Sequence, residues 1–365
     1  MASPYQVKFC YSLQKYYDTE FWFYVRREKE RPKWWEIPLG EKCKILKVSG
    51  VLPRIGYFSL GVFSEWLRFK PDIIMLGGFM NWHWLILKLA KIFNKKVIIL
   101  TEPLRYVTSE SDQSQSLLNK ENALKPLRKI NMKFTNADLF VGMGQVAEQQ
   151  LIHDIGFDKN KVTWTIYPTD IEAYFSHPLR QFRQSQDYTI LFANRLIDRY
   201  QPIFALEVYK VLKQKYPRIK MLMNNDGQLK QECLQFIRNE NLQDVHFLEE
   251  IDSWNNMHKV YQNADILLLP ATYSNGNGTI IEAAASGMGL VLSNQINDIE
   301  KEVMDGENCF ICNLEIDSFV SAISKYIEEP GIFPDHGKLS RGIVEVLKNE
   351  NLAKNYSEMF ERYGL

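Results

Sequence analysis

Apolar residues fall in short runs separated by longer stretches in which they recur every three or four positions. That alternation predicts strands joined by helices, the pattern of βα units around parallel sheets. In the first half the strands are expected at FWFYV (21–25), KILKV (44–48), DIIMLG (72–77), KVIILT (96–101), DLFVG (138–142) and VTWTIY (162–167), with helices over 82–93 and 145–154. A polar, turn-rich stretch, 167–187, separates them from a second series: YTILFAN (188–194), IKMLMN (219–224), DVHFLE (244–249), DILLLP (265–270) and GLVLS (289–293). Helices are expected over 203–216, 228–239, 254–262, 279–286 and 316–328. The fold class is therefore α/β, read as two Rossmann-like, doubly wound domains, 1–170 and 171–345, with 346–365 a C-terminal helix packing back on the first. Open parallel sheets bind ligands at the carboxyl ends of their strands, so two such domains facing a cleft would carry their chemistry in the loops that follow strands.

A length of 365 residues suits two domains and excludes a single small binding module. Basic and acidic residues balance at 44 each, which argues against a nucleic-acid partner. The distribution is uneven: residues 1–180 hold 26 basic and 18 acidic side chains, and 23 of those basic residues precede position 135. A first domain that meets an anionic substrate or surface is one reading, and a chance imbalance of solvated faces is the other. The stretches FWFYVRREKERPKWW (21–35) and KPLRKINMKF (125–134) suit reversible docking to anionic lipid headgroups, unless their aromatic residues are simply buried.

Five cysteines make no disulfide framework, and no signal segment opens the sequence, so a reducing cytoplasm is expected. Cys309 and Cys312 have no second pair and lie in the strand-like NCFICN, which favours a buried structural role over metal binding. Lys88 and Lys91 interrupt the longest apolar candidate, so contact with a membrane is expected to be peripheral, at the cytoplasmic face. The loop GMGQVA (142–147) matches a dinucleotide fingerprint. Hydride chemistry does not follow, because the fingerprint belongs to the first βα turn and no acidic residue closes the next strand. Glycines that let a helix start approach an anion are the simpler account.

Across 188–330 several segments occur in a telling order: YTILFANRLIDRYQP, LMNNDGQLKQE, VHFLEEIDSWNNMHKVYQNADILLLPATYSNGNGTIIEAAASGMGLVLSN and DGENCF. Together they resemble the retaining glycosyltransferases of family four, which have the two-domain GT-B fold. SPYQVKFCYSLQKY, PDIIMLGGFMNWHW, KVIILTEP and NADLFVGMGQVAEQQL resemble their first domain more loosely. The family's first strand, upstream of Ser3, has no counterpart, so either the sequence starts late or the first sheet is reduced.

The resemblance implies a nucleotide-diphosphate sugar as donor, bound by the second domain, and a glycan or lipid-linked acceptor, bound by the first. It implies front-face transfer without a protein nucleophile, no metal and no further cofactor, and surface polysaccharide assembly is the commonest setting. Arg195 stands at the position of the phosphate-contacting arginine. Tyr200 stands where the family has a lysine, and Arg199 is the neighbouring substitute. Glu282, expected at a helix start, is implied to hold the ribose hydroxyls by bidentate acceptance. The motif's first glutamate is replaced by Ser274, which leaves sugar recognition altered. Asn275, Gly276, Asn277, Gly278 and Thr279 form a loop whose backbone suits a diphosphate or sugar. On the acceptor side Glu102 is the acid/base candidate by position, with Gly77, Gly78 and Gly144 allowing close approach. Two rivals remain: a catalytically weakened scaffold, suggested by Ser274 and Tyr200 together, and a nucleotide-sugar epimerase of the same fold.

Overall fold

The computed structural model describes residues 1–27, 35–52, 56–80, 82–104, 129–249, 251–274, 277–297, 299 and 302–365. The chain divides into two compact units, Met1–Pro168 with Asn349–Leu365, and Thr169–Lys348. Both are α/β with parallel sheets, the class the alternation of apolar runs predicts.

In the first unit α1 (Pro4–Leu13) starts with Pro4 at a position where no backbone N–H is needed, and the Ser3 hydroxyl caps the amide of Gln6. β1 (Phe21–Phe23) pairs in parallel with β2 (Cys43–Ile45), and β3 (Gly50–Leu52) forms an antiparallel hairpin with β4 (Gly56–Phe58). After α2 (Gly61–Phe69) come β5 (Ile73–Gly77), α3 (His83–Ile92), β6 (Lys96–Thr101), β7 (Leu139–Met143), α4 (Gln145–Gln149) and β8 (Val162–Thr165). Strands β5 to β8 form one parallel sheet in sequential order. Its central strands read as unbroken apolar runs because both faces are covered. Val97 and Ile99 point into a cluster with Ile86, Leu87 and Phe134, while Ile98 points the other way, against Phe9 of α1 and Leu352 and Tyr356 of the C-terminal helix Asn349–Arg362.

This unit departs from the expected series in two respects. The runs at 21–25 and 44–48 give strands of three residues in a separate two-stranded sheet, and the β3–β4 hairpin and α2 were not anticipated. Its four-stranded sheet also shows no reversal of strand order among the described residues.

The second unit has that reversal. It contains β9 (Thr189–Phe192), α5 (Pro202–Lys215), β10 (Lys220–Met223), α6 (Lys230–Asn239), β11 (Val245–Phe247), α7 (Met257–Gln262), β12 (Ile266–Leu269), α8 (Gly278–Ala285), β13 (Gly289–Ser293), β14 (Phe310–Cys312), α9 (Ile316–Glu328) and α10 (Ile332–Val344). The six strands are parallel in the order β11-β10-β9-β12-β13-β14, so the sheet grows outward in both directions from β9.

Candidate active site

Where the strand order reverses, the loops leaving β9 and β12 diverge to opposite faces and leave a crevice. Here the two loops are joined. The Thr272 amide donates to the Arg199 carbonyl at 2.8 Å, and the Thr272 hydroxyl donates to the same oxygen at 3.3 Å. The Arg199 guanidinium lies 4.5 Å from the centre of the Tyr200 ring and 5.3 Å from that of Tyr273, and its Nη2 donates to the Tyr200 hydroxyl at 2.7 Å. Two ring faces and a hydrogen bond thus fix a cation at the switch point.

A third loop, after β10, clamps the same region. The Leu196 amide donates to the Asp226 carbonyl at 2.7 Å, and the Leu229 amide donates to the Leu196 carbonyl at 2.9 Å. Gly227 sits between them at φ +141°, where a Cβ would stand 2.3 Å from the Leu196 carbonyl oxygen. No other residue fits that approach. Arg195 is held beside it, its Nε donating to Asp226 Oδ2 at 2.9 Å.

From the β12 side come Ser274, which is buried, and α8. Asn277 caps the helix in the left-handed region, φ 43°, with its Nδ2 donating to the Asn297 carbonyl at 2.9 Å. Gly278 and Thr279 form the first turn. Asn275 and Gly276 lie outside the described residues. Glu282 requires a correction: it is the fifth residue of α8, not its start, because the helix already begins at Gly278. Its carboxylate is 3% exposed and accepts a hydrogen bond from the hydroxyl of Tyr261 on α7. Tyr261 was not singled out in the sequence, although it lies three residues before the Ala264-Asp265 pair that opens a recognisable strand.

The framework behind these loops is polar and closely bonded. Asp265 pairs with Arg183 and accepts the Thr189 amide at 2.8 Å, tying β9 to β12 at their entry. Arg180, 5% exposed, donates to the carbonyls of Ala264 and Ser286 and to that of Tyr261. His177 bonds Ser286 through Nδ1 at 3.2 Å and His258 through Nε2 at 3.1 Å. Burial, with Arg180, His258 and Arg341 nearby, lowers its pKa to about 4, so it is neutral at pH 7.

In the first unit the acceptor-side candidates lie at the carboxyl ends of three neighbouring strands of one sheet. Gly77 ends β5 opposite Leu100, and Gly78, at φ +75°, extends the pairing by donating to the Leu100 carbonyl at 2.7 Å. Glu102 follows β6 and does not belong to it; it is exposed, and its Oε1 accepts from the Tyr167 hydroxyl at 2.8 Å. Gly144, φ 91°, precedes α4 after β7. The fingerprint GMGQVA owes its first glycine to packing: a Cβ on Gly142 would lie 2.6 Å from the Glu148 amide nitrogen. His83 is buried, with Nδ1 3.0 Å from the Gly78 carbonyl oxygen.

The aromatic stretch from Phe21 turns mostly inward. Trp22 and Tyr24 pack against one core cluster and Phe21 against the other, while Arg26 and Arg27 pair with Glu36. Residues 28–34 and 125–128 of the two basic stretches lie outside the described residues. Cys309 and Cys312 are buried thiols whose pKa values burial pushes up to about 12 and about 11. Among the described residues no group of three His, Cys, Asp or Glu side chains could hold a metal ion, and no helix is long and apolar enough to cross a membrane.

Comparison with known proteins agrees with this arrangement. The family described as "Glycosyl transferases group 1" matches residues 179–361. An uncharacterized glycosyltransferase of Methanocaldococcus jannaschii is 22% identical over 224 residues, 56% of this chain and 53% of that protein. The chain therefore spans about half the length of the curated relative it matches. Among solved structures, sucrose-phosphate synthase from Thermosynechococcus elongatus superposes with a TM-score of 0.68 at 16% identity, covering 97% of this chain and 91% of that one. Anabaena HepE, solved with UDP and glucose, gives 0.61 at 15% identity, with 87% and 86% covered. The fold is that of the GT-B glycosyltransferases.

Proposed function

The chain belongs to the group 1 glycosyl transferases, and from that premise we propose that it is a retaining glycosyltransferase of family four. It moves a sugar from a nucleotide-diphosphate donor, held by the second unit, to a glycan or lipid-linked acceptor, held mainly by the first, in surface polysaccharide assembly. The observation that carries this reading is the joining of the loops after β9 and β12 where the strand order reverses, with Arg199 fixed there between the Tyr200 and Tyr273 rings. HepE, which shares the fold, binds UDP and glucose.

The bond from the anomeric carbon to the donor phosphate oxygen breaks, and the acceptor oxygen bonds that carbon on the same face. The acceptor proton passes to the departing phosphate oxygen, and Glu102, the acid/base candidate by position, accepts a hydrogen bond from the acceptor hydroxyl and orients it without keeping the proton. Negative charge grows on the leaving diphosphate, and fixed cations and helix N-termini stabilise it without reorganising. Arg195 and Arg199 supply those cations, while Asn277, Gly278 and Thr279 supply the helix start. Glu282 holds the ribose. Tyr200, in the place of a lysine, carries no charge but orients the neighbouring Arg199 through its hydroxyl and its ring. That support favours an active enzyme over a scaffold.

Membrane attachment at the cytoplasmic face would use a different surface from the one the aromatic stretch suggests. Leu67 of α2 and Ile92 and Phe93 at the end of α3 are exposed, beside the exposed cations Lys70 and Lys88. Flotation on anionic but not on neutral vesicles would support it, and equal recovery would remove it. The main reading is tested by titrating UDP, GDP and ADP into the wild type and an Arg195→Ala variant. A lost charge-assisted contact should weaken binding about 10- to 100-fold. Equal affinity for both proteins would overturn the assignment of Arg195.

A further inference from the structure

The second unit buries a carboxylate, and burying a charge is costly unless it is hydrogen-bonded. Glu282 meets that cost through Tyr261, whose side chain is 1% exposed and whose hydroxyl donates to Glu282 Oε2. Thr279 in turn bonds the Tyr261 hydroxyl. Thr279 and Glu282 are three positions apart on α8, so they share a helix face and meet the same hydroxyl from α7. Tyr261 is itself fixed: its carbonyl accepts from Arg180, and its ring packs edge-on against Tyr174 with centroids 5.3 Å apart.

From this chain of contacts we infer that Tyr261 is a positioning residue, holding the Glu282 carboxylate in the orientation that reads the ribose of the nucleotide donor. The inference rests on the reading that the second unit binds such a donor. A phenylalanine would fill the same space, so packing alone gives no reason for a hydroxyl buried this deeply. Burial and the neighbouring Glu282 raise its pKa well above the usual value, which keeps the proton on the oxygen that donates it. Tyr261 touches no substrate in this scheme. It acts through Glu282 alone.

The experiment measures affinities of UDP, GDP and ADP and of their 2′-deoxy forms for the wild type, Tyr261→Phe, Thr279→Val, Glu282→Gln and the double variant Tyr261→Phe/Glu282→Gln. The wild type should favour the ribose form of the best-bound nucleotide by about tenfold, the loss of roughly one charged hydrogen bond. Tyr261→Phe should cut that preference at least about threefold, Thr279→Val should cut it less, and the double variant should be no worse than Glu282→Gln, since both changes act on one contact. If Tyr261→Phe does not fold, Thr279→Val and the double variant, which removes the buried charge with its partner, carry the same comparison. An undiminished preference in a folded variant, or losses that add in the double variant, would overturn the inference and leave the donor reading intact. A wild type that binds none of the nucleotides would overturn the donor reading with it, and one that binds ribose and deoxyribose forms equally would overturn the inference alone.

Discussion

Two glycines, one in each unit, show how differently the same device is used. Gly78 follows β5 at φ +75°, and a Cβ there would have nothing within 4 Å. Gly227 follows β10 at φ +141°, and its Cβ would strike the Leu196 backbone. The first glycine only turns the chain; the second allows two loops to touch. The contrast extends to the sheets. The second unit has one six-stranded sheet with a reversal at its centre, and its post-strand loops are bonded to each other there. Among its described residues the first has sheets of two, two and four strands, and the four strands simply run in sequence. A rigid, over-determined group of loops suits a ligand fixed in shape, such as a nucleotide diphosphate. Separate residues at the carboxyl ends of three strands would suit the varied acceptors proposed for this unit.

The largest expected effect breaks this comparison at its centre. Gly227→Ala should cost about 3 kcal/mol through backbone strain and a steric clash, whereas Gly78→Ala should cost only about 1 kcal/mol, from the positive φ alone. Chemical denaturation of both variants decides it. Equal losses would show that the clamp on Leu196 is not what Gly227 provides.

What the sequence revealed follows the same division. KVIILT gave β6 and GLVLS gave β13 from end to end, and the other second-unit runs gave β9 to β12 with their ends trimmed, because strands covered on both faces must be continuously apolar. The β3–β4 hairpin stayed hidden, since three-residue strands have no room to show a period. So did α10, whose sequence IFPDHGKLSRGIV contains a proline and two glycines that disfavour a helix. Packing overrides that propensity: a Cβ on Gly337 would lie 2.9 Å from the Gly287 carbonyl oxygen, so close approach to the end of α8 is what the glycine secures. In the site, Arg195, Arg199, Ser274 and Glu282 were marked by resemblance to motifs. Tyr261 and Tyr273 were not, because their roles depend on partners far along the chain, Glu282 and Arg199. Local pattern carries no trace of such pairs.

Next in size is the first unit's own chemistry. Glu102→Gln keeps an oxygen to accept from Tyr167 but loses the carboxylate, so turnover should fall about 100-fold, the loss of one strong charge-assisted hydrogen bond to the acceptor hydroxyl. Nucleotide affinity should not change, because the proposed donor site lies in the other unit. Turnover with the best acceptor and a parallel titration with nucleotide separate the two. A change in affinity with normal turnover would move Glu102 to the wrong side of the comparison.

Mild acid should distinguish the units by a smaller amount. His177, His258 and His336 in the second unit and His83 in the first all have pKa values lowered by burial. A histidine held neutral in the folded state contributes its full stability above about pH 6.5 and loses it as pH falls towards the folded value. For His177, with a folded pKa of about 4, lowering the pH from 7 to 5 should cost the second unit about 2 kcal/mol. Hydrogen exchange at both pH values should show faster opening of β9 and β12 than of β6 and β7. His177→Gln, which cannot take up the proton, should flatten the difference; an equal acid response in both units would show that burial of these rings does not set it.

The smallest effect concerns Ser274, where a change in charge should alter the choice of sugar more than the strength of donor binding. Arg195 and Glu282, the residues proposed for phosphate and ribose, are both present, so a nucleotide diphosphate alone should bind Ser274→Glu within about twofold of wild type, less than 0.5 kcal/mol. The sugar end is different. A carboxylate placed at this buried position would need hydroxyl partners, and a donor sugar lacking them would leave it desolvated and unpaired. A serine hydroxyl makes no such demand, so a deoxy or amino-modified sugar suits the native side chain better than a fully hydroxylated hexose, with Thr279 and the backbone of Asn277 and Gly278 proposed for the remaining contacts. With the best donor found, Ser274→Glu should lower turnover a few-fold, about 1 kcal/mol in transition-state binding. A large gain in turnover would show instead that the serine weakens an ordinary hexose site, and the sharper of the two loop systems would then be the one that has decayed.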